Sequence, residues 1–302
     1  MTSVAVSESV RTSECPSDRI APLWGSVIVD EQIKTKLINH TLLALQLRGT
    51  FPFETTAVHG LIALVGPPGT GKTTLARGLA HQLSTVLRGE PTRLLEVTPH
   101  GLMSAEHGQS QQLVTELLGE HLPSLVDDGV KSIVLLDEVE SMAVARSETS
   151  LSANPVDVHR ATDAVLTAVD QLAASTPNLV FVVTSNFVKG LDEAFLSRAD
   201  IVIEIPLPDA KALTAILTNT LASMSTVYPQ LGALARDPAL ARIAADCVGV
   251  DGRQARKLVA QALARRTATA INAGELTIAD LSVAANELRN EGRGEGHRVR
   301  AA

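Results

Sequence analysis

Five groups of residues in this chain have types and spacings suited to phosphate chemistry. The first is a glycine-rich run, Gly66, Pro67, Pro68, Gly69, Thr70 and Gly71, followed by Lys72, Thr73 and Thr74. It fits the pattern G-x-x-x-x-G-K-[ST], whose glycines let the backbone wrap a bulky polyanion and aim successive N–H groups at it. In that pattern Lys72 reaches the β- and γ-phosphates of a nucleoside triphosphate, and the Thr73 hydroxyl ligates Mg²⁺. The second group is Asp137-Glu138. Asp137 suits Mg²⁺, directly or through water, and Glu138 suits the polarising of an attacking water. Asn186 is the third, a neutral amide able to hold that water or a γ-phosphate oxygen. Arg198 and Arg253 complete the set. Arg198 fits an arginine finger given to a neighbouring subunit's nucleotide. Arg253 fits a phosphate contact within its own subunit that reports closure of a second domain.

Each group also has a plainer reading. The acids read as a solvated pair after a strand, Asn186 as a turn residue, and Arg198 as half of a surface ion pair. Arg253 reads as part of a solvated helix face with Arg256, Lys257, Arg265 and Arg266.

The elements around these residues favour the chemical reading. Leu61 to Val65 is an unbroken apolar run, the signature of a strand buried on both faces, and helical spacing resumes at Thr74, Leu75, Ala76, Leu79 and Ala80. Leu94, Leu95 and Val97 predict a second strand, SIVLLDEVE (132–140) a third, LVFVVT (179–184) a fourth and IVIEI (201–205) a fifth. Acids delivered at the C-terminal end of such a strand lie where open α/β sheets bind ligands. Asp30 reads as the N-cap of a helix bearing Ile33, Leu37, Ile38, Leu42 and Leu45. LWGSVIVD (23–30) reads as a short apolar turn or strand. After Arg146, SETSLSANPVDVHR (147–160) reads as a polar, mobile connection.

Pro206-Leu207-Pro208 closes the alternating section. From Asp209 to Leu288 the periodicity is helical, with breaks near Tyr228-Pro229, Asp237-Pro238, Gly249 to Gly252 and Gly274. The expected division is a flexible leader (1–21), a large α/β domain (22–207), a small all-α domain (208–289) with the prolines as hinge, and a flexible tail (290–302).

With 45% hydrophobic and 20% charged residues the chain of 302 is globular rather than disordered, and a net charge of −7 argues against a nucleic-acid surface. Cys15 and Cys247 lie far apart and lack metal-ligand spacing, so a reducing compartment is expected. The polar N-terminus has no secretion-signal pattern, and no apolar run approaches the ~20 residues of a membrane span. A cytoplasmic protein without a membrane partner is the expectation.

GPPGTGKT (66–73), LLDE (135–138), TSN (184–186), SRAD (197–200) and GVDGR (249–253) occur in the order used by AAA+ ATPases. Longer stretches narrow the match. PLWGSVIVDEQIKTKL (22–37), LLDEVESMAVAR (135–146), DAVLTAVDQL (163–172) and TSNFVKGLDEAFLSRADI (184–201) resemble the pachytene checkpoint ATPases, remodellers of HORMA-domain proteins. The resemblance spans about residues 22 to 288. It implies an AAA+ P-loop domain with a five-stranded parallel sheet and a helical lid, assembled as a homo-hexameric ring that uses ATP and Mg²⁺ to open a HORMA domain. By position it implies Lys72 and Thr73 for Walker A, Asp137 and Glu138 for Walker B, Asn186 for sensor one, Arg198 for the finger in trans and Arg253 for sensor two.

Two departures stand out. The family carries an N-terminal substrate-recognition domain, which about 20 residues before Pro22 cannot form. Its central-pore loop has a Trp–aromatic pair, whereas the corresponding segment here places Glu106-His107, with Leu102 and Met103 as the apolar alternatives. A short version of this ATPase resembles bacterial members that accompany HORMA proteins and nucleotidyltransferases in cyclic-oligonucleotide antiphage defence, where it would switch the signal off. Competing classes are a general AAA+ unfoldase or disaggregase, a nucleic-acid remodeller or clamp loader, and a non-hydrolysing nucleotide switch.

Overall fold

The computed structural model describes residues 9–98, 109–126, 129–141, 155–186 and 191–298. The segment bearing Leu102, Met103, Glu106 and His107 lies outside them, as does 147–154 of the connection expected after Arg146. Six strands form one sheet: β1 (Val10–Cys15), β2 (Leu61–Val65), β3 (Thr92–Val97), β4 (Lys131–Leu136), β5 (Leu179–Ser185) and β6 (Ile201–Glu204), in the order β1-β3-β4-β5-β2-β6. The five strands expected from apolar runs are parallel to one another. β1 is a sixth, antiparallel to β3.

The unbroken runs follow from burial on both faces. Leu61, Ala63 and Val65 join Phe181 and Val183 in one core, while Ile62 and Leu64 join Val180 and Val182 in the other. Helices α1 (Ala21–Ser26), α2 (Glu31–Thr50) and α3 (Lys72–Val86) lie on the side of the second core. On the first are α4 (Gln109–Glu116), which runs into a π-helical turn at Leu117–His121, and α5 (Pro155–Ser175). Asp30 caps α2 as expected, accepting from the Gln32 N–H at 2.8 Å.

The leader reading is corrected at β1, because Val10–Cys15 is a strand. Its sequence, VRTSEC, carries no apolar run. It is held by pairing along the exposed edge of β3, by a Glu14–Arg93 ion pair at 2.7 Å and by burial of Cys15, whose thiol burial pushes up to about 11. Ala21–Ser26 is a short helix, where a turn or strand was expected from Leu23 on. α1 packs on α3 at Gly78: a Cβ there would come within 2.7 Å of the Trp24 backbone nitrogen, so a larger residue would separate the two helices.

One buried cation was not legible as structural. Arg48, near the end of α2, is 7% exposed and donates to the carbonyls of Leu172, Ala173, Thr176 and Leu179. It ties α2 to the end of α5 and the start of β5. Burial brings its guanidinium down to about 10, with the Asp200 charge opposing.

The chain divides into two compact units. The first takes in the chain to Gly66 together with Lys72–Ile205. The second comprises Pro67–Gly71, the tip of the glycine-rich loop, and the chain from Pro206. The second unit contains α7 (Ala210–Met224), α8 (Ala239–Asp246), α9 (Gly252–Ala264) and α10 (Ile278–Arg298); the short α6 (Glu193–Leu196) belongs to the first. α7 has Asp209 as N-cap and buries Leu213, Ile216, Leu217 and Leu221 at helical spacing. The flexible-tail reading from Asn290 is also corrected, because α10 continues to Arg298 despite its glycines. Among the described residues no helix is long and apolar enough to cross a membrane.

Candidate functional site

The strand order places the C-terminal ends of β4, β5 and β2 side by side, and these deliver Asp137, Asn186 and Gly66. Gly66 must be glycine. Its φ is +144°, and a Cβ would lie 2.2 Å from the Ile205 carbonyl oxygen, so the residue just after β6 leaves it no room.

Lys72 opens α3, and its side chain turns back onto Gly66 at the end of β2. It is 6% exposed, and its Nζ donates to the Gly66 carbonyl at 2.8 Å and to Asn186 Oδ1 at 3.0 Å. The expected Lys72 and Asn186 thus meet directly. Glu140 holds Asn186 from the other side. Its Oε1 accepts from the Asn186 backbone N–H at 3.1 Å and from the side-chain amide at 3.2 Å. This fixes the amide with its oxygen toward the lysine. Glu140 Oε2 is buried, with no hydrogen-bond partner among the described residues.

Thr73 and Asp137 form the second contact. The Thr73 hydroxyl donates to Asp137 Oδ1 at 2.6 Å, and the Thr184 hydroxyl donates to the same oxygen at 2.5 Å. A hydroxyl and a carboxylate oxygen converging in this way are hard donors of the kind Mg²⁺ takes. The residues present therefore fit that ion. Thr184 Oγ1 also accepts the Glu138 backbone N–H at 3.0 Å. Glu138 has φ +53°, a left-handed conformation uncommon outside glycine and concentrated at functional sites. The turn leaves Glu138 exposed, beside a cleft of about 220 Å³ lined by Asp137, Thr98 and the Arg77–Glu96 ion pair, 2.5 Å long.

Arg198 stands apart from this cluster. Its Nε and Nη2 donate to Asp170 Oδ1 and Oδ2 at 2.7 and 2.8 Å, and its Nη1 donates to the Ala194 carbonyl at 2.8 Å. The hydrogen bonds from Arg198 pull the Asp170 carboxylate below its ordinary range, and the carboxylate raises the guanidinium in return. Two residues on, Asp200 accepts the backbone N–H groups of His59, Gly60 and Leu61 at 3.0, 2.8 and 3.2 Å. Burial nevertheless raises its carboxyl.

In the second unit, Thr70 Oγ1 donates to the Pro67 carbonyl at 2.9 Å, and the Gly69 carbonyl accepts the Arg253 backbone N–H at 3.2 Å. Asp251 closes a capping box on α9. The Arg253 side chain is exposed.

Of the residues singled out in the sequence, Lys72, Thr73, Asp137 and Asn186 are thus joined by hydrogen bonds, with Glu138 adjacent. Glu140, Thr184 and Asp170 were not anticipated. Thr184 and Glu140 each lie two residues from a residue that was, and that closeness to a motif at the end of a strand was the available signal.

Residues 62–207 match the model of the ATPase family associated with various cellular activities. Among curated proteins, CD-NTase-associated protein 6 of Pseudomonas aeruginosa is 43% identical over 285 residues, 93% of each chain. The pachytene checkpoint protein 2 homolog of Danio rerio is 33% identical over 301 residues, 91% of this chain and 70% of that one. Among solved structures, C. elegans PCH-2 aligns with a TM-score of 0.75 at 24% identity, covering 95% of this chain and 76% of that one. A chain of the E. coli MS115-1 HORMA:CdnC:Trip13 complex aligns with a TM-score of 0.69 at 15% identity, covering 92% and 95%. At those identities the two structures establish the fold.

Proposed function

The chain belongs to the pachytene checkpoint protein 2 family of AAA ATPases, and from that membership we propose that it hydrolyses ATP to disassemble complexes of a HORMA-domain protein. The observation that carries hydrolysis is the Thr73–Asp137–Thr184 contact, because it brings the phosphate loop onto the acidic strand and sets Glu138 beside it.

Lys72 Nζ binds the β- and γ-phosphate oxygens, and the loop N–H groups bind the rest of the chain of phosphates. Thr73 and Asp137 would hold Mg²⁺, which neutralises developing phosphate charge. Glu138 orients the attacking water and takes its proton at a carboxylate oxygen. Asn186, steadied by Glu140, fixes that water or a γ-phosphate oxygen. Arg198 acts at the nucleotide of the adjoining subunit in a homo-hexameric ring, and Arg253 contacts the phosphate of its own subunit. The large domain includes β1 and runs to about Ile205, and the lid begins near Pro206. The ring works in the cytoplasm.

The substrate follows from kinship. A relative 43% identical is named for association with a CD-NTase, and a related chain was solved together with HORMA and CdnC. The proposed role is to release HORMA protein from an activated nucleotidyltransferase and so quench antiphage signalling. The test is to mix the protein with a preformed HORMA–nucleotidyltransferase complex and follow the complex by size-exclusion chromatography. ATP is expected to convert it to free components, and a non-hydrolysable analogue to leave it intact. A complex that survives ATP while ATP is turned over would remove the substrate assignment and leave the ATPase.

The Thr184 hydroxyl gives a narrower prediction. Thr184→Val nearly preserves volume but removes both bonds to the acidic turn. The Mg²⁺ concentration needed for half-maximal hydrolysis is expected to rise by about 10–100-fold, measured by metal titration at saturating ATP.

A further inference from the structure

We infer that Asp170 is a positioning residue for Arg198, holding its guanidinium aimed outward for a neighbouring subunit's nucleotide and keying that aim to the strand that carries the subunit's own phosphate loop. The inference rests on the reading of Arg198 as a finger in trans.

The geometry is specific. Arginine has five N–H donors in a fixed fork, and both oxygens of Asp170 take the Nε edge of that fork. The Ala194 carbonyl takes one more N–H, from Nη1. This engages three of the five and leaves one N–H on each terminal nitrogen for a phosphate oxygen. An unheld arginine after a four-residue helix would sample many rotamers, and ordering it on a phosphate would cost conformational entropy. Here the side chain is 24% exposed and already ordered.

Asp170 is itself held. Its Oδ1 lies 3.4 Å from His59 Nε2, and the His59 ring meets Phe53 edge-on with centroids 4.9 Å apart. The His59 backbone N–H is fixed by Asp200, which also takes the two amides that begin β2. Asp170 rides on α5, whose end Arg48 grips. A continuous set of contacts therefore runs from the start of β2 through His59 and Asp170 to Arg198. The charged groups around the guanidinium are Asp170 and Asp192, both acidic, and His59 faces the carboxylate.

The test compares Asp170→Ala, Arg198→Ala and the double variant in steady-state ATP hydrolysis. Asp170→Ala is expected to lower kcat on the order of 10²-fold, the cost of a misplaced catalytic group, with KM for ATP and fluorescent-nucleotide binding unchanged. The double variant should be no slower than Arg198→Ala, because Asp170 acts through that side chain. Mixing Asp170→Ala subunits with Lys72→Ala subunits should restore turnover, since the latter still carry an intact Asp170–Arg198 pair. An inactive Arg198→Ala beside a fully active Asp170→Ala, or a further loss in the double variant, would overturn the positioning role alone. A fully active Arg198→Ala would overturn the finger reading itself, and positioning with it.

Discussion

Glu138→Gln is expected to slow ATP turnover by about 10²–10⁴-fold while leaving nucleotide binding intact. The amide is isosteric with the carboxylate and keeps the left-handed turn, whose N–H is pinned by Thr184 at 3.0 Å. What it loses is the ability to accept a proton from water. The neighbouring acid is committed elsewhere: Asp137 Oδ1 accepts from the Thr73 and Thr184 hydroxyls at 2.6 and 2.5 Å, on the side where Mg²⁺ would bind. Single-turnover hydrolysis measured beside nucleotide affinity separates the two effects. The same variant, loaded with ATP, is expected to retain a HORMA partner in a pull-down. Turnover at the unmodified rate would remove Glu138 from the chemistry and favour a nucleotide switch.

Arg48→Met is expected to cost about 3 kcal/mol of stability, the loss of several charge-assisted bonds at about 1–3 kcal/mol each for a stranded buried acceptor. Methionine fills much of the same volume, so packing changes little. The four carbonyls that Arg48 serves do not all become orphans: Leu172 still accepts from the Thr176 N–H at 3.0 Å, and Thr176 from Leu179 at 3.3 Å. The estimate therefore lies well below the sum of four full penalties. Arg48→Lys keeps the charge but offers one point of donation in place of a planar fork, and is expected to recover only part of the loss. A urea titration followed by circular dichroism reads both as a shifted midpoint at an unchanged slope. A midpoint equal to that of the parent protein for Arg48→Met would show that the end of α5 holds without this cation.

The parallel strands and the phosphate loop were legible because both are written in local residue type: apolar runs such as LIALV and LVFVVT, and glycines before a Lys-Thr pair. β1 was not, because VRTSEC is extended only through its pairing with β3, which lies some eighty residues away in the chain. α10 likewise outran its glycines. At the site, Lys72, Thr73, Asp137, Glu138 and Asn186 each announced themselves by motif, and four of them meet in hydrogen bonds. Glu140 and Asp170 did not, since a carboxylate on a turn or a helix face reads as solvated until its partner is located. Arg48 was hidden for the same reason: an arginine near a helix end ordinarily faces water, and only the fold shows four carbonyls converging on it.

The packing of α1 on α3 has an optical consequence. The chain has one tryptophan and one tyrosine. Trp24 lies against Gly78 on the helix that begins with Lys72 and Thr73, with the Lys34 ammonium 5.9 Å from its ring centre. Tyr228 belongs to the other unit. Light absorbed selectively by indole is therefore absorbed in the nucleotide-binding unit alone. The emission of the unlabelled protein is a native reporter on the helix that begins with Lys72 and Thr73.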